Sequence, residues 1–298
     1  MENKTPLAAI APHHQRILGF LVALIILLGL VGVVLGVVIY NQQRQSADLS
    51  QISDTDQSDL DNIEPARRPP DDTLTASVTW QQTENGWQAS GTPPACPTPL
   101  ITSPIDTSQV TSILYPGQTR GDNYKPHGGF RFDTITDNQV IVRVPLDAVV
   151  VDGARYLVEG ETQYTFDFVA PCGMMYRLGH LLTLDPQFQA IADQFSEPKE
   201  GDSRTTRVEP NIVVRSGDLI ATAVGVTKGQ NTFFDFGVYN LQTKNEISQD
   251  PTWAASHDPS LAPYAVCWFD LLPAADTAKV KSLPPADYMS GKTSDYCK

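Results

Sequence analysis

Cationic residues are scarce: 21 Lys+Arg stand against 34 Asp+Glu, a net charge of −13 over 298 residues. A surface of that sign repels phosphate backbones and excludes general nucleic-acid binding. Histidine is scarcer still. Beyond residue 40 the chain has only His127, His180 and His257, so any imidazole-based chemistry there draws on these three. No H-E-x-x-H, G-x-S-x-G or G-x-x-x-x-G-K-[ST] occurs, which removes the sequence signatures of zincins, nucleophile elbows and P-loops. The four cysteines form no C-x-x-C pair, which excludes zinc-ribbon and thioredoxin motifs. Long helical periodicities and internal repeats are absent. The 23 Pro and 20 Gly follow no collagen period and mark many turns. Plentiful Val, Ile and Leu, with 8% aromatics, exclude wholesale disorder.

What is present begins with an uncharged apolar run from Ile17 to Tyr40. As a helix it spans roughly 36 Å, enough to cross a hydrocarbon core with tilt. The run is long for a signal peptide, and Asn41-Gln42-Gln43-Arg44 follows it without a small-residue cleavage site. It reads as an uncleaved anchor. Lys4 and Arg16 precede it and an acidic stretch follows it, so residues 1–16 are expected in the cytoplasm and the rest outside. Gly32 and Gly36 form a G-x-x-x-G pair, common enough in membrane helices to carry no dimer expectation. The sequon Asn3-Lys4-Thr5 falls on the cytoplasmic side. Residues 41–77 are polar, with eight acidic residues against Arg44, Arg67 and Arg68, and bury too little to offset chain entropy. They read as a flexible acidic stalk, and residues 78–298 as the extracytoplasmic domain.

Cys96, Cys172, Cys267 and Cys297 all follow the anchor. An even count in an oxidising compartment suggests two disulfides, with three connectivities open. A Cys267–Cys297 bond would tie down the tail and leave Cys96 with Cys172; free buried thiols are the alternative.

Two-residue alternation dominates from Val78 onward. Strands are expected at 140–144 and 148–151 around a Pro145-Leu146-Asp147 turn, at 163–169, at 213–214 and 219–224 around Ser216-Gly217-Asp218, and at 232–239. One helix is expected after Asp185-Pro186, with Phe188, Ile191, Ala192 and Phe195 at helical spacing, followed by a polar loop over 197–207. His257-Asp258-Pro259 reads as a turn. The class is mainly β, an antiparallel sandwich or open barrel. Trp80, Trp87 and the Pro-rich run to Pro104 are expected to add strands, and residues 257–298 to wrap over the domain.

Several segments, in order, resemble the lysostaphin/LytM-type peptidoglycan zinc endopeptidases of the duplicated-hybrid-motif fold. Lys125-Pro126-His127-Gly128-Gly129-Phe130-Arg131-Phe132-Asp133 is similar to the family's H-x-G-x-D region. Leu178-Gly179-His180-Leu181 resembles its Tyr-x-His-Leu element, and Val214 to Ile220 its V-x-x-G-x-x-I segment. Phe233-Phe234-Asp235-Phe236-Gly237-Val238 lines up with H-x-H-F-E-V. The resemblance covers 125–239, interrupted near 185–209. It implies that His127, Arg131 and Asp235 stand at the zinc-ligand positions, and Phe233 and His180 at those of the two remaining site histidines.

The departures shape the expectation. A guanidinium repels a divalent cation and keeps its proton, so an Arg131–Asp235 ion pair is expected to replace the metal. A rescued zinc site of His127, Asp133 and Asp235 is the fallback. No catalytic residue is expected, with His180 as a remnant, and no cofactor is expected unless the fallback brings zinc. The resemblance then implies a module on the bacterial cytoplasmic membrane that binds peptidoglycan or an envelope protein. The alternatives are an active peptidoglycan endopeptidase with altered ligands and a structural surface domain.

Overall fold

The computed structural model describes residues 78–298. The expected tail, membrane helix and stalk lie outside the described residues. Among the described residues no helix is long and apolar enough to cross a membrane.

In chain order the strands are β1 (Trp80–Thr83), β2 (Gly86–Ala89), β3 (Ser112–Leu114), β4 (Gln118–Arg120), β5 (Asn123–Lys125), β6 (Gly128–Arg131), β7 (Gln139–Arg143), β8 (Ala148–Val158), β9 (Glu161–Val169), β10 (Met174–Leu184), β11 (Thr206–Val214), β12 (Leu219–Val224) and β13 (Phe233–Asn240). Three short helices are α1 (Pro186–Ala192), α2 (Pro251–Ser256) and α3 (Ala274–Ser282). The class is mainly β. Nine strands form one sheet in the order β11-β8-β9-β10-β13-β6-β3, with β12 joining β10 to β7. Every strand pair is antiparallel, the arrangement that short turns between neighbours permit.

Alternation sets which face is core. In β13, Phe234, Phe236 and Val238 are buried at 0–1% exposure, and with Phe130 of β6, Phe166 and Phe168 of β9 and Leu178 of β10 they fill the main core. Each such side chain contributes roughly 1.5–3 kcal/mol on burial. The residues between them, Phe233, Asp235 and Gly237, take the opposite face. That face carries the site.

α1 begins as its residues dictate. The Asp185 carboxylate accepts from the Gln187 N–H and Pro186 opens the first turn, while Phe188, Ile191 and Ala192 face the core. Two expectations need correction. The polar loop ends earlier than expected, because β11 starts at Thr206 instead of Val213. β11 pairs only with β8 and shifts register between Arg207 and Ile212, around Pro210; an edge strand accommodates a residue without an N–H. The N-terminal stretch adds β3 to the main sheet, but β1 and β2 form a hairpin of their own, and the Pro-rich run makes no strand.

Both disulfides are formed, Cys96–Cys172 and Cys267–Cys297. The second holds the chain end against the β4–β5 hairpin. There Asp295 donates its N–H to Gly117 O, Gln118 Nε2 donates to Gly291 O, and Tyr124 donates to the Asp295 carboxylate. That hairpin leads directly into His127.

Candidate functional site

Register on the non-core face of the sheet decides which groups meet. Arg177 of β10 stands opposite Asp167 of β9 and Gly237 of β13; one row along, Gly179 stands opposite Asp235, and Asp235 opposite Gly129 of β6. Glycine at 129, 179 and 237 leaves this strip of sheet without side chains. A Cβ at Gly129 would come within 2.5 Å of Phe234 O, and one at Gly237 within 2.9 Å of the His127 Cβ. A cleft of about 250 Å³ opens over the strip, lined among others by Lys125, Tyr156, Arg177 and Ser203.

Three of the expected residues converge there. His127 Nε2 lies 3.0 Å from Asp235 Oδ2 and His180 Nε2 lies 3.4 Å from the same oxygen. Their side chains keep only 17–22% of their exposure. His180 reaches this point because the backbone breaks strand geometry at it. Its φ is 60°, in the left-handed region, where β10 slips register against β9 between Leu178 and Leu181. A non-glycine residue in that region costs of order 1–3 kcal/mol, and such bulges re-aim side chains beside functional sites.

The fully buried Gln163 fixes the ring. Its Nε2 donates to Gly225 O at 2.7 Å, so its Oε1 is the acceptor facing His180 Nδ1 at 2.6 Å. Nδ1 of His180 therefore carries a proton, and Nε2 donates to Asp235 only when the ring is cationic. Gly225 holds the other end. With φ of 93° and a virtual Cβ 2.2 Å from Asn231 O, it admits no side chain.

Burial alone would raise the Asp235 pKa, but the imidazoles of His127 and His180 outweigh it and hold this carboxyl well below its ordinary range. Burial pushes His127 down, against the upward pull of Asp235, and Arg120 and Arg177 add to the lowering. The two directions agree on an ionised Asp235 accepting a hydrogen bond from a His127 that resists a second proton. Arg177 is held charged: burial would lower it, but a bidentate pair with Asp167, at 2.6 and 2.5 Å, raises it. Tyr156, pushed up to about 12 by burial, stays a neutral hydroxyl.

Arg131 does not meet Asp235, and the expected ion pair is corrected. Arg131 stands opposite Phe233, one row from Asp235, where its Nη2 donates to Asn231 Oδ1 at 2.7 Å and its Nε lies 3.4 Å from Asp133 Oδ1. The alignment of motifs placed both residues at ligand positions, but a two-residue offset along antiparallel strands separates their side chains. The fallback set fails as well. The Asp133 carboxylate is 54% exposed, paired with Arg131, and accepts from Thr111 Oγ1 at 2.7 Å, away from His127 and Asp235. Phe233 packs its ring 4.4 Å from that of His180 and offers no donor atom. Among the described residues no group of three or more His, Cys, Asp or Glu is arranged to hold a metal ion. Arg131, Asp133 and Phe233 thus add no ligand beside His127 and Asp235.

His257 lies apart, stacked on Trp253 at 4.1 Å. Sequence reasoning missed Gln163, Asp167 and Arg177. The alternation of β9 puts Gln163, Thr165 and Asp167 on the face opposite Phe166 and Phe168, which reads as solvent. In the structure they are 0%, 7% and 2% exposed, on the same face as the cleft residues Gly179 and Arg177. No protein-family model matches the chain, and no curated protein or solved structure matches it either.

Proposed function

We propose that this chain is a LytM-like domain of duplicated-hybrid-motif type that binds and does not cut: a membrane-anchored extracytoplasmic module for peptidoglycan or an envelope protein. The observation that carries the reading is the closed circuit at Asp235. Its Oδ2 faces both His127 and His180, the His180 ring packs against Phe233, and Arg131 turns to Asn231 and Asp133. Groups at the positions that would serve zinc and activate water in an active relative are engaged with one another, while the glycine-floored cleft beside them stays open to an extended ligand. The anchor at 17–40 and the acidic stalk would hold this cleft outside the bacterial cytoplasmic membrane, and the two disulfides suit that compartment.

The test uses the full chain in detergent, purified without chelators. Metal analysis, release of soluble fragments from purified peptidoglycan, and sedimentation with insoluble peptidoglycan are measured on one preparation. Sedimentation with wall material, without fragment release or stoichiometric zinc, is the expected outcome. Fragment release together with stoichiometric zinc would replace this reading by an active endopeptidase with altered ligands. Failure to sediment with wall material would remove peptidoglycan as the ligand and leave an envelope-protein partner or a structural surface domain.

A further inference from the structure

We infer that the cleft beside Asp235 is a binding site for a small oxyanion, a carboxylate or a phosphate group. The inference rests on the reading of the cleft as a binding site and names the chemistry that it takes. The charge balance of the lining points to it. Asp235 is the one acidic residue lining the cleft, and its carboxylate is already shared by His127 and His180. Against it stand Lys125 and Arg177. Arg177 spends Nε and Nη2 on Asp167, and Nη1 has no partner among the described residues. Lys125 Nζ has no hydrogen bond or ion pair there either. Arg120, outside the lining, adds to the positive field at His127: its Nη2 donates to His127 O, and its buried Nη1 has no hydrogen-bond partner.

A chain of net charge −13 thus gathers unspent N–H donors around a space of about 250 Å³, a volume suited to one small anion and its near atoms. The lining's one carboxylate, Asp235, faces His127 and His180. Ser203, on the exposed loop between α1 and β11, lines the same space, and its hydroxyl is a donor within reach of a bound anion. Oxyanions favour such convergent, charge-assisted donors, and a guanidinium edge suits the planar carboxylate as well as phosphate.

The experiment is equilibrium dialysis of the full chain in detergent against radiolabelled acetate and, separately, inorganic phosphate. Ionic strength is held constant with sodium chloride, with and without EDTA. Saturable one-site binding of at least one anion, unchanged by EDTA, is expected; which anion binds tells a carboxylate source from a phosphate source. Lys125→Ala is expected to weaken it at least tenfold. Ser203→Asp, on an exposed loop, places a competing carboxylate in the lining and is expected to do the same, which keeps the test sound should the first variant fold poorly. Absence of saturation by both anions, or binding indifferent to both substitutions, overturns the inference and leaves the wall-binding reading standing. Binding abolished by EDTA would put the anion on a metal and overturn both. Zinc with wall hydrolysis, but oxyanion binding retained after EDTA, would overturn only the non-catalytic reading.

Discussion

Replacing Asp235 by Asn keeps the shape of the site and removes its charge. The carboxylate faces His127 at 3.0 Å and His180 at 3.4 Å. The first is close to a charge-assisted bond and the second is long, so one strong interaction and one weak one are lost. A hydrogen bond to a charged group contributes about 1.5–3 kcal/mol, and breaking a buried pair costs about 3–5 kcal/mol. The side chains keep 17–22% exposure, and water reaching them offsets the upper part of that range. Asp235→Asn should therefore lose about 2–3 kcal/mol at neutral pH, or roughly 5–10 °C in Tm for a domain of this size. Acid supplies the second half of the test. Asp235 has its folded pKa depressed below the ordinary carboxylate value of 3.8. Its contribution is complete above that value and disappears as pH falls through the lower folded one. The gap between wild type and variant should persist from about pH 8 to about pH 5 and then close in stronger acid. Guanidinium denaturation of the full chain, followed by tryptophan fluorescence at several pH values, measures it. A variant within about 0.5 kcal/mol of wild type at pH 7, or a gap undiminished in strong acid, would refute the circuit.

Arg131→Ala should cost about 1 kcal/mol, because Asp133 is 54% exposed and the bond to Asn231 is only part-buried; a loss of several kcal/mol in denaturant melts would point to a buried pair instead. Gln163→Leu leaves Gly225 O and His180 Nδ1 without partners in a buried setting and should lose about 1–3 kcal/mol, with histidine NMR reporting release of the His180 tautomer. Loop lengths set the order of the disulfides: the 76-residue separation of Cys96 and Cys172 should contribute about 4.5 kcal/mol and the 30-residue separation of Cys267 and Cys297 about 3.6 kcal/mol by chain entropy. Paired Cys→Ser variants, compared by denaturant midpoint, test that order. Below pH 6.5 the wild type should lose stability progressively, because His127 takes its proton more readily unfolded than folded; His127→Asn should flatten that limb of the stability–pH profile.

Strand alternation made most of the sheet legible. The run Leu219 to Val224 is the observed β12, and the apolar triplet Phe234, Phe236 and Val238 identifies the buried face of β13. The Asp185-Pro186 pair marks the start of α1, because capping chemistry is local. β11 was less legible for the opposite reason. Its outer half is polar, contains Pro210 and is stabilised by pairing with β8 alone, a tertiary contact that no local pattern announces. The burial of the polar face of β9 was not legible either, because polar alternation looks identical whether water or protein covers it.

The site shows where motif position and geometry part company. Aligning motifs placed Arg131 and Asp235 at neighbouring ligand positions, and opposite charge suggested a pair. The antiparallel register instead sets Asp235 across from Gly129 and Arg131 across from Phe233. With no side chain on Gly129 or Gly179, the nearest groups able to reach the carboxylate are His127, from the residue before β6, and His180, turned inward by its left-handed backbone. Two imidazoles thus take the place expected for one guanidinium. That exchange has a chemical consequence. Arg131 would have neutralised Asp235 permanently and at every pH, whereas His127, held below its ordinary pKa by burial, hydrogen-bonds the carboxylate and leaves it its charge. The carboxylate beside Lys125 and Arg177 is therefore held in place by hydrogen bonding and not cancelled by a fixed cation.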